Sequence, residues 1–95
     1  MSRTKTQRFA PGYVVCSRQG RDKGTLYLIL CRKGRFVELA DGIKRTAAAP
    51  KKKNVLHLHL VSKKMPGFES GLPGDEEIAR FLRSLDKAET DSKHL

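Results

Sequence analysis

Residues 12–31, which read GYVVCSRQGRDKGTLYLILC, decide the fold. Two β-rich segments, residues 13–18 and 25–31, flank a polar turn that is bracketed by Gly20 and Gly24. Either glycine can supply the positive φ that closes a hairpin. The stretch therefore predicts two antiparallel strands joined by a short basic turn.

Side-chain alternation assigns faces to the first strand and extends the β pattern along the chain. Val14 and Cys16 fall on one face, and Tyr13 and Val15 on the other. Three further strands are predicted, at residues 36–40, 43–48 and 55–61. The turns between them are Lys33-Gly34 and Asp41-Gly42, of which the second is a two-residue hairpin signal.

The last predicted strand alternates strictly. Leu56, Leu58 and Leu60 are predicted to point inward, and His57 and His59 outward. Five short strands with tight turns favour a small, strongly bent sheet that closes into an SH3-like barrel.

The chain is therefore predicted to be mostly β, with a short C-terminal α-helix. The predicted units are a flexible basic arm (1–10), the barrel (11–64), a linker (65–74), an amphipathic helix (75–86) and a flexible tail (87–95). The helix carries an apolar stripe of Ile78, Phe81, Leu82 and Leu85 behind an acidic first turn. We expect this stripe to cover the protein's own sheet rather than a partner.

Charge is unevenly distributed. The 95 residues carry a net charge of +10 with a pI near 10.1. Residues 1–64 hold 16 basic residues against Asp22, Glu38 and Asp41, which leaves +13, whereas residues 65–95 carry −3. A basic body with an acidic appendage predicts a polyanionic partner.

Other function classes have little support in the sequence. No secretory signal or membrane-length apolar run is present, so we expect a cytoplasmic protein without a membrane partner. Cys16, Cys31, His57 and His59 are potential zinc ligands, but the cysteines are on separate strands and form no Cys-x-x-Cys pair. We expect no metal, no cofactor, no small-molecule substrate and no enzymatic activity.

The quoted stretch also resembles a known motif. Gly12-Tyr13-Val14-Val15-Cys16, followed by Gly20, Gly24 and an apolar strand, is similar to a KOW motif. Over residues 11–62 the order and spacing resemble the archaeal and eukaryotic ribosomal protein family L-fourteen-e, including Val37-Glu38-Leu39 and Asp41-Gly42. The resemblance implies an SH3-like barrel whose first turn contacts RNA through Arg18, Arg21 and Lys23.

The chain departs from that family at its C-terminus, where a short acidic helix replaces long basic helices. Small stand-alone bacterial KOW proteins have a similar size and pattern. The resemblance therefore implies either a ribosomal protein or a ribosome-associated RNA-binding protein.

The position of the lysine run, residues 51–53, depends on residues 43–48. If residues 43–48 form a strand, the lysine run shares a barrel end with residues 32–35; if they form a loop, it joins the turn at residues 18–24. The run has no acidic sequence neighbours, which favours phosphate contact. The residues predicted to contact RNA are Arg18, Gly20, Arg21, Lys23, Gly24, Arg32, Lys33, Arg35, Lys44, Arg45, Lys51, Lys52 and Lys53.

The leading hypothesis is a monomeric protein that binds structured RNA, above all ribosomal RNA or a ribosomal subunit, through its phosphate backbone. With four Phe, two Tyr and no Trp, base stacking is limited. Two alternatives remain open: a module that binds proline-rich peptides, and a transcription-associated or DNA-binding KOW factor.

Overall fold

Five β-strands and one α-helix form the fold. The computed structural model describes residues 9–68 and 71–93, with the side chains of Ser62 and residues 86–93 excepted. In chain order the elements are β1 (Tyr13–Ser17), β2 (Leu26–Lys33), β3 (Phe36–Ala40), β4 (Lys51–Asn54), β5 (Leu58–Lys64) and α1 (Asp75–Lys93). A single 3-10 turn, Val55–His57, links β4 to β5.

The strands form one antiparallel sheet in the order β4-β3-β2-β1-β5. The register shifts between Tyr13 and Val15 on β1 and between Ile29 and Cys31 on β2. Such irregularities bend strands and increase their twist. The sheet curls into a half-barrel, which confirms the predicted mostly β class and is compatible with a small SH3-like barrel.

Both faces of the sheet are buried. Val15, in β1, belongs to an inner cluster enclosed by the curled sheet, whereas Val14 belongs to an outer cluster that contacts α1. The inner cluster contains Val15, Tyr27, Ile29, Val37, Leu39 and Leu58. The outer cluster contains Val14, Leu28, Leu30, Ala40, Met65, Ile78 and Leu82. Tyr13 packs against the inner cluster, so the predicted division of β1 into two faces is confirmed.

The helix covers the sheet of its own chain, as predicted. Ile78 and Leu82 are buried in the outer cluster, and Phe81 and Leu85 pack against it. At its start, the Gly74 amide donates to Glu77 Oε1 at 3.1 Å, which satisfies one of the otherwise unpaired N–H groups at the helix N-terminus. The helix is longer than predicted and continues to Lys93.

The prediction that residues 43–48 form a strand is wrong. This segment consists of bends and a turn, and β4 begins instead at Lys51. The Asp41 carboxylate explains the difference, because Oδ1 accepts the amides of Ile43 and Arg45, both at 2.9 Å. The amides of Asp41 and Gly42 donate back to the Arg45 carbonyl. Asp41-Gly42 therefore opens a self-bonded loop rather than the predicted two-residue hairpin.

The predicted last strand begins too early. Residues 55–57 form a 3-10 turn, which Asn54 caps by accepting the Leu56 amide at 2.9 Å. Leu56 is 66% exposed, so its predicted inward position is wrong. Leu58 is buried and Leu60 packs on the inner cluster, as predicted, but His57 lies in the turn rather than on the strand.

The segments flanking the barrel are partly described. Residues 1–8 of the predicted arm lie outside the described residues, as do Glu69 and Ser70 of the linker and residues 94–95 of the tail. The linker begins on the barrel: Met65 is buried and donates its amide to the Gly12 carbonyl at 2.8 Å. Within the described part of the chain, no helix is long and apolar enough to cross a membrane.

Gly42 is where α1 meets the loop after β3. Its φ is +83°, and a Cβ there would overlap the Asp75 carbonyl oxygen and lie 2.8 Å from the Ala79 nitrogen. We expect Gly42→Ala to lower the free energy of unfolding by about 3 kcal/mol, because backbone strain adds to displacement of the helix. Urea unfolding followed by circular dichroism measures this loss.

Gly67→Ala is the matched control, since Gly67 has a φ of +79° and, apart from its chain neighbours, no atom of the described residues lies within 4 Å of a Cβ added to it. It should cost only the strain, about 1 kcal/mol. Equal losses for the two variants would contradict the close packing of the helix on Gly42.

Candidate nucleic-acid interface

A single carboxylate, Asp22, organises the turn between β1 and β2. Its Oδ1 accepts a hydrogen bond from Ser17 Oγ at 2.8 Å, and its Oδ2 accepts one from Tyr27 Oη at 2.8 Å. Lys51 Nζ lies 2.9 Å from Oδ2, and Lys53 Nζ lies 3.0 Å from Oδ1. Four side chains from β1, β2 and β4 therefore converge on one acid, and we call this group the Asp22 cluster.

The Asp22 cluster joins parts of the sheet that are not neighbours. Two strands, β2 and β3, lie between β1 and β4 in the sheet order. Lys53 Nζ also donates to Ser17 Oγ at 2.7 Å and to the Gln19 carbonyl at 3.2 Å. These contacts cross the curled sheet and fix the β1–β2 turn against β4.

The cluster is largely shielded from water, and the pKa values of two of its members are shifted. The side chains of Asp22 and Lys53 are 15% and 11% exposed. Burial acts to raise the Asp22 pKa, but the hydrogen bonds from Lys51, Ser17, Tyr27 and Lys53 outweigh it and hold the pKa well below its usual range. Burial, together with the hydrogen bond to Asp22 and its negative charge, raises the Tyr27 pKa above its usual range. Asp22 thus stays ionised and Tyr27 stays a hydrogen-bond donor at neutral pH.

The lysine run joins the β1–β2 turn, which is the alternative predicted for residues 43–48 as a loop. Its charges are partly compensated, however, so the expectation that no acid neutralises them is wrong. Lys51 and Lys53 pair with Asp22, whereas Lys52 alternates to the other side of β4 and lies 5.1 Å from the Phe36 ring centroid. Lys52 is also opposite Glu38 in the β3–β4 register.

Beside the Asp22 cluster, the β1–β2 turn and the Asp41 loop (residues 41–45) together line an open groove of about 380 Å³, which we call the basic groove. Its exposed cations are Arg21, Lys44 and Arg45, and Lys51 contributes to its wall. The two carboxylates in the groove, Asp22 and Asp41, are both engaged in the hydrogen bonds described above. The basic groove therefore carries a net positive charge, with four cations against two carboxylates, on two loops whose backbones are hydrogen-bonded.

The turn meets solvent through side chains more than through its backbone. Gly20 and Gly24 both have positive φ, 89° and 93°, as the turn required. The amides of Lys23, Gly24 and Thr25 donate internally, to the carbonyls of Gly20, Ser17 and Asp22 respectively. Arg18 and Lys23 are exposed but do not line the basic groove.

A second basic group lies at the β2–β3 hairpin. Arg32 Nε donates to the Gly34 carbonyl at 2.7 Å, and its Nη1 donates to the Phe9 carbonyl at 3.4 Å, so Arg32 anchors this hairpin to the chain before β1. Lys33 and Arg35 are exposed. A shallow depression of about 590 Å³ lies between Pro11, Arg32 and Arg35. The predicted cations thus form two separate groups rather than one surface.

Three residues of the site were not predicted from the sequence. Ser17 is buried although polar, and Tyr27 is buried with its hydroxyl on Asp22. An acid flanked by glycines and basic residues was a signal for a buried ion pair, but its partners could not be read from local sequence. Ile43, next to Lys44 in the chain, is 66% exposed. The incorrect strand prediction gave no reason to expect an exposed apolar side chain there.

Metal ligation has no geometric support in the described residues, where no group of three or more His, Cys, Asp and Glu side chains is placed to hold an ion. Cys16 and His59 are cross-strand partners, and both cysteines are half-buried and form no disulfide with each other. A scan against protein-family models found no match, and a search of curated proteins found none either.

Asp22→Asn tests the cluster directly. The amide keeps the shape but leaves the partly shielded Lys53 ammonium without a counter-charge, so we expect a loss of about 2 kcal/mol in the free energy of unfolding at pH 7, between the values typical of exposed and of fully buried pairs. Glu38→Gln is the matched control, since Glu38 faces Lys52 at the surface of the sheet and should cost under about 1 kcal/mol. Similar losses for the two variants in urea unfolding would contradict the central role of Asp22.

Acid should remove the same stabilisation. Because the folded-state pKa of Asp22 lies below its unfolded value near 3.8, its contribution is complete above about pH 5 and is lost as the pH falls below 4. Urea unfolding at pH 6 and pH 2.5 should therefore show a larger drop for the wild type than for Asp22→Asn. Parallel drops would show that Asp22 titrates normally in the folded state.

Proposed function

We propose that this protein binds structured RNA through phosphate contacts made by the basic groove, with ribosomal RNA as the expected target. The observation that carries the proposal is the convergence of Arg21, Lys44 and Arg45 from two loops around one open groove. Four cations line the groove against the carboxylates of Asp22 and Asp41, so incoming phosphates meet a net positive charge.

Rigidity of the site supports binding of a folded partner. The β1–β2 turn is fixed by the Asp22 cluster, and the Asp41 loop is fixed by its own hydrogen bonds and by α1. Side chains mounted on fixed loops lose less conformational entropy on binding. A fixed set of cations suits a partner whose phosphates also have fixed spacing, such as an RNA helix.

The aromatic side chains favour RNA backbone contact over the alternatives. All six aromatic residues of the chain are described, and of these only Phe36 is exposed. A groove for proline-rich peptides requires several clustered exposed aromatics. Extended single-strand binding likewise relies on rows of stacking rings. The resemblance to KOW barrels adds the ribosomal setting and a ribosomal or ribosome-associated role.

Charge reversal of the groove tests the proposal. In fluorescence anisotropy with an RNA hairpin from a ribosomal subunit, the double variant Arg21→Glu/Lys44→Glu should bind at least about 30-fold more weakly at 0.1 M salt. Three to five phosphate contacts give the wild type a slope of roughly −2 to −4.5 in a plot of log binding constant against log salt concentration. The slope of the double variant should be less steep by about 2.

Lys63→Glu/Arg80→Glu is the matched control, because it changes the net charge equally at exposed positions outside the groove. It should weaken binding only a few-fold. Wild-type affinity that is insensitive to salt, or equal losses in both double variants, would overturn the proposal. Duplex DNA and a proline-rich peptide library, run as competitors, separate the DNA-binding and peptide-binding alternatives.

A further inference from the structure

A second groove adjoins the basic groove and differs from it in chemistry. It has a volume of about 370 Å³ and lies between α1 and the start of β2, and we call it the helix groove. Leu26, Ala79 and Leu82 supply apolar wall, and Arg83 supplies one cation. Thr25, Asp41 and Ile43 line both grooves and therefore form the boundary between them.

Ile43 is the unusual member of that boundary. It is 66% exposed, yet it belongs to a loop whose backbone is held in place by Asp41 and Arg45. A large apolar side chain presented on a fixed loop, next to Lys44 and Arg45, is not explained by the core of this protein. Its position suits contact with the apolar face or ribose of a nucleotide whose phosphate is held by the adjacent cations.

The two grooves match the two halves of a nucleotide. The basic groove offers cations for a phosphate, and the helix groove offers an apolar wall with few charges for a base. The Asp41 carboxylate at the boundary repels phosphate but accepts hydrogen bonds, as the amino groups on base edges require. A base can enter only when it is not stacked and paired in a continuous helix.

We propose that the basic groove and the helix groove together form a site for one unpaired, splayed-out nucleotide of a structured RNA, with Ile43 packed against its base or ribose. The inference rests on the proposed function and specifies the RNA: a helix interrupted by a bulge or loop rather than a continuous duplex. It also gives α1 a role in binding, through Ala79, Leu82 and Arg83.

Two RNA hairpins that differ in one nucleotide test the site. One carries a single bulged 2-aminopurine in its stem, and the other is fully paired. The wild type should bind the bulged hairpin about fivefold to tenfold more tightly, and binding should change the 2-aminopurine fluorescence. Ile43→Ser should reduce the preference for the bulged hairpin about fivefold, the order expected for one partly buried aliphatic contact.

Leu56→Ser is the matched control, since Leu56 is also 66% exposed but lines neither groove. It should keep the preference for the bulge. Salt-sensitive binding to both hairpins with equal affinity, or a preference that Ile43→Ser leaves intact, would overturn the nucleotide site while the proposed function stands. Absence of salt-sensitive binding to either hairpin would overturn both.

Discussion

The structure depends on one largely shielded carboxylate, Asp22, that links the two ends of the curled sheet region between β1 and β4. β1 and β4 are separated by two strands, and the ion pairs from Asp22 to Lys51 and Lys53 span the gap between them. Charge alone makes such an arrangement unfavourable, because each buried ion loses hydration. Here every donor around Asp22 is matched to a lone pair, including the hydroxyls of Ser17 and Tyr27. The cluster therefore fixes the geometry of the turn more than it adds to the net free energy of folding.

That arrangement divides the basic residues into two groups with different roles. Lys51 and Lys53 hold the turn in place, and Arg32 anchors the opposite hairpin through backbone carbonyls. Arg21, Lys44 and Arg45 remain exposed around the basic groove. A count of basic residues consequently overstates the number available to a polyanion. The positions for a charge-reversal variant must therefore be chosen from the structure. Reversing the charge of Lys53 would destabilise the fold as well as change the surface charge.

Local sequence patterns were sufficient to predict much of the fold, but they were not sufficient to predict the site. Alternation in β1 correctly assigned Val14 and Tyr13 to opposite faces, and helical spacing correctly placed Ile78 and Leu82 in the core. The strand prediction for residues 43–48 was wrong because the Asp41 side chain accepts the backbone amides that pairing with a neighbouring strand would need. Strand propensity takes no account of such a side-chain acceptor. The Asp22 cluster could not be predicted for a different reason: Asp22 meets Lys51 and Lys53 only once the sheet has curled.

The Asp41 loop shows how the same contacts serve folding and the proposed binding site. The loop is hydrogen-bonded to itself through Asp41 and Arg45, and the segment that follows it is hydrogen-bonded to the helix because the Ala47 amide donates to Asp75 Oδ1 at 2.8 Å. Gly42 allows the close approach of the α1 backbone that makes this link. These contacts fix the backbone from which Ile43, Lys44 and Arg45 project into the solvent. Asp75, in the acidic first turn of α1, therefore helps to position the loop that carries two of the cations of the basic groove.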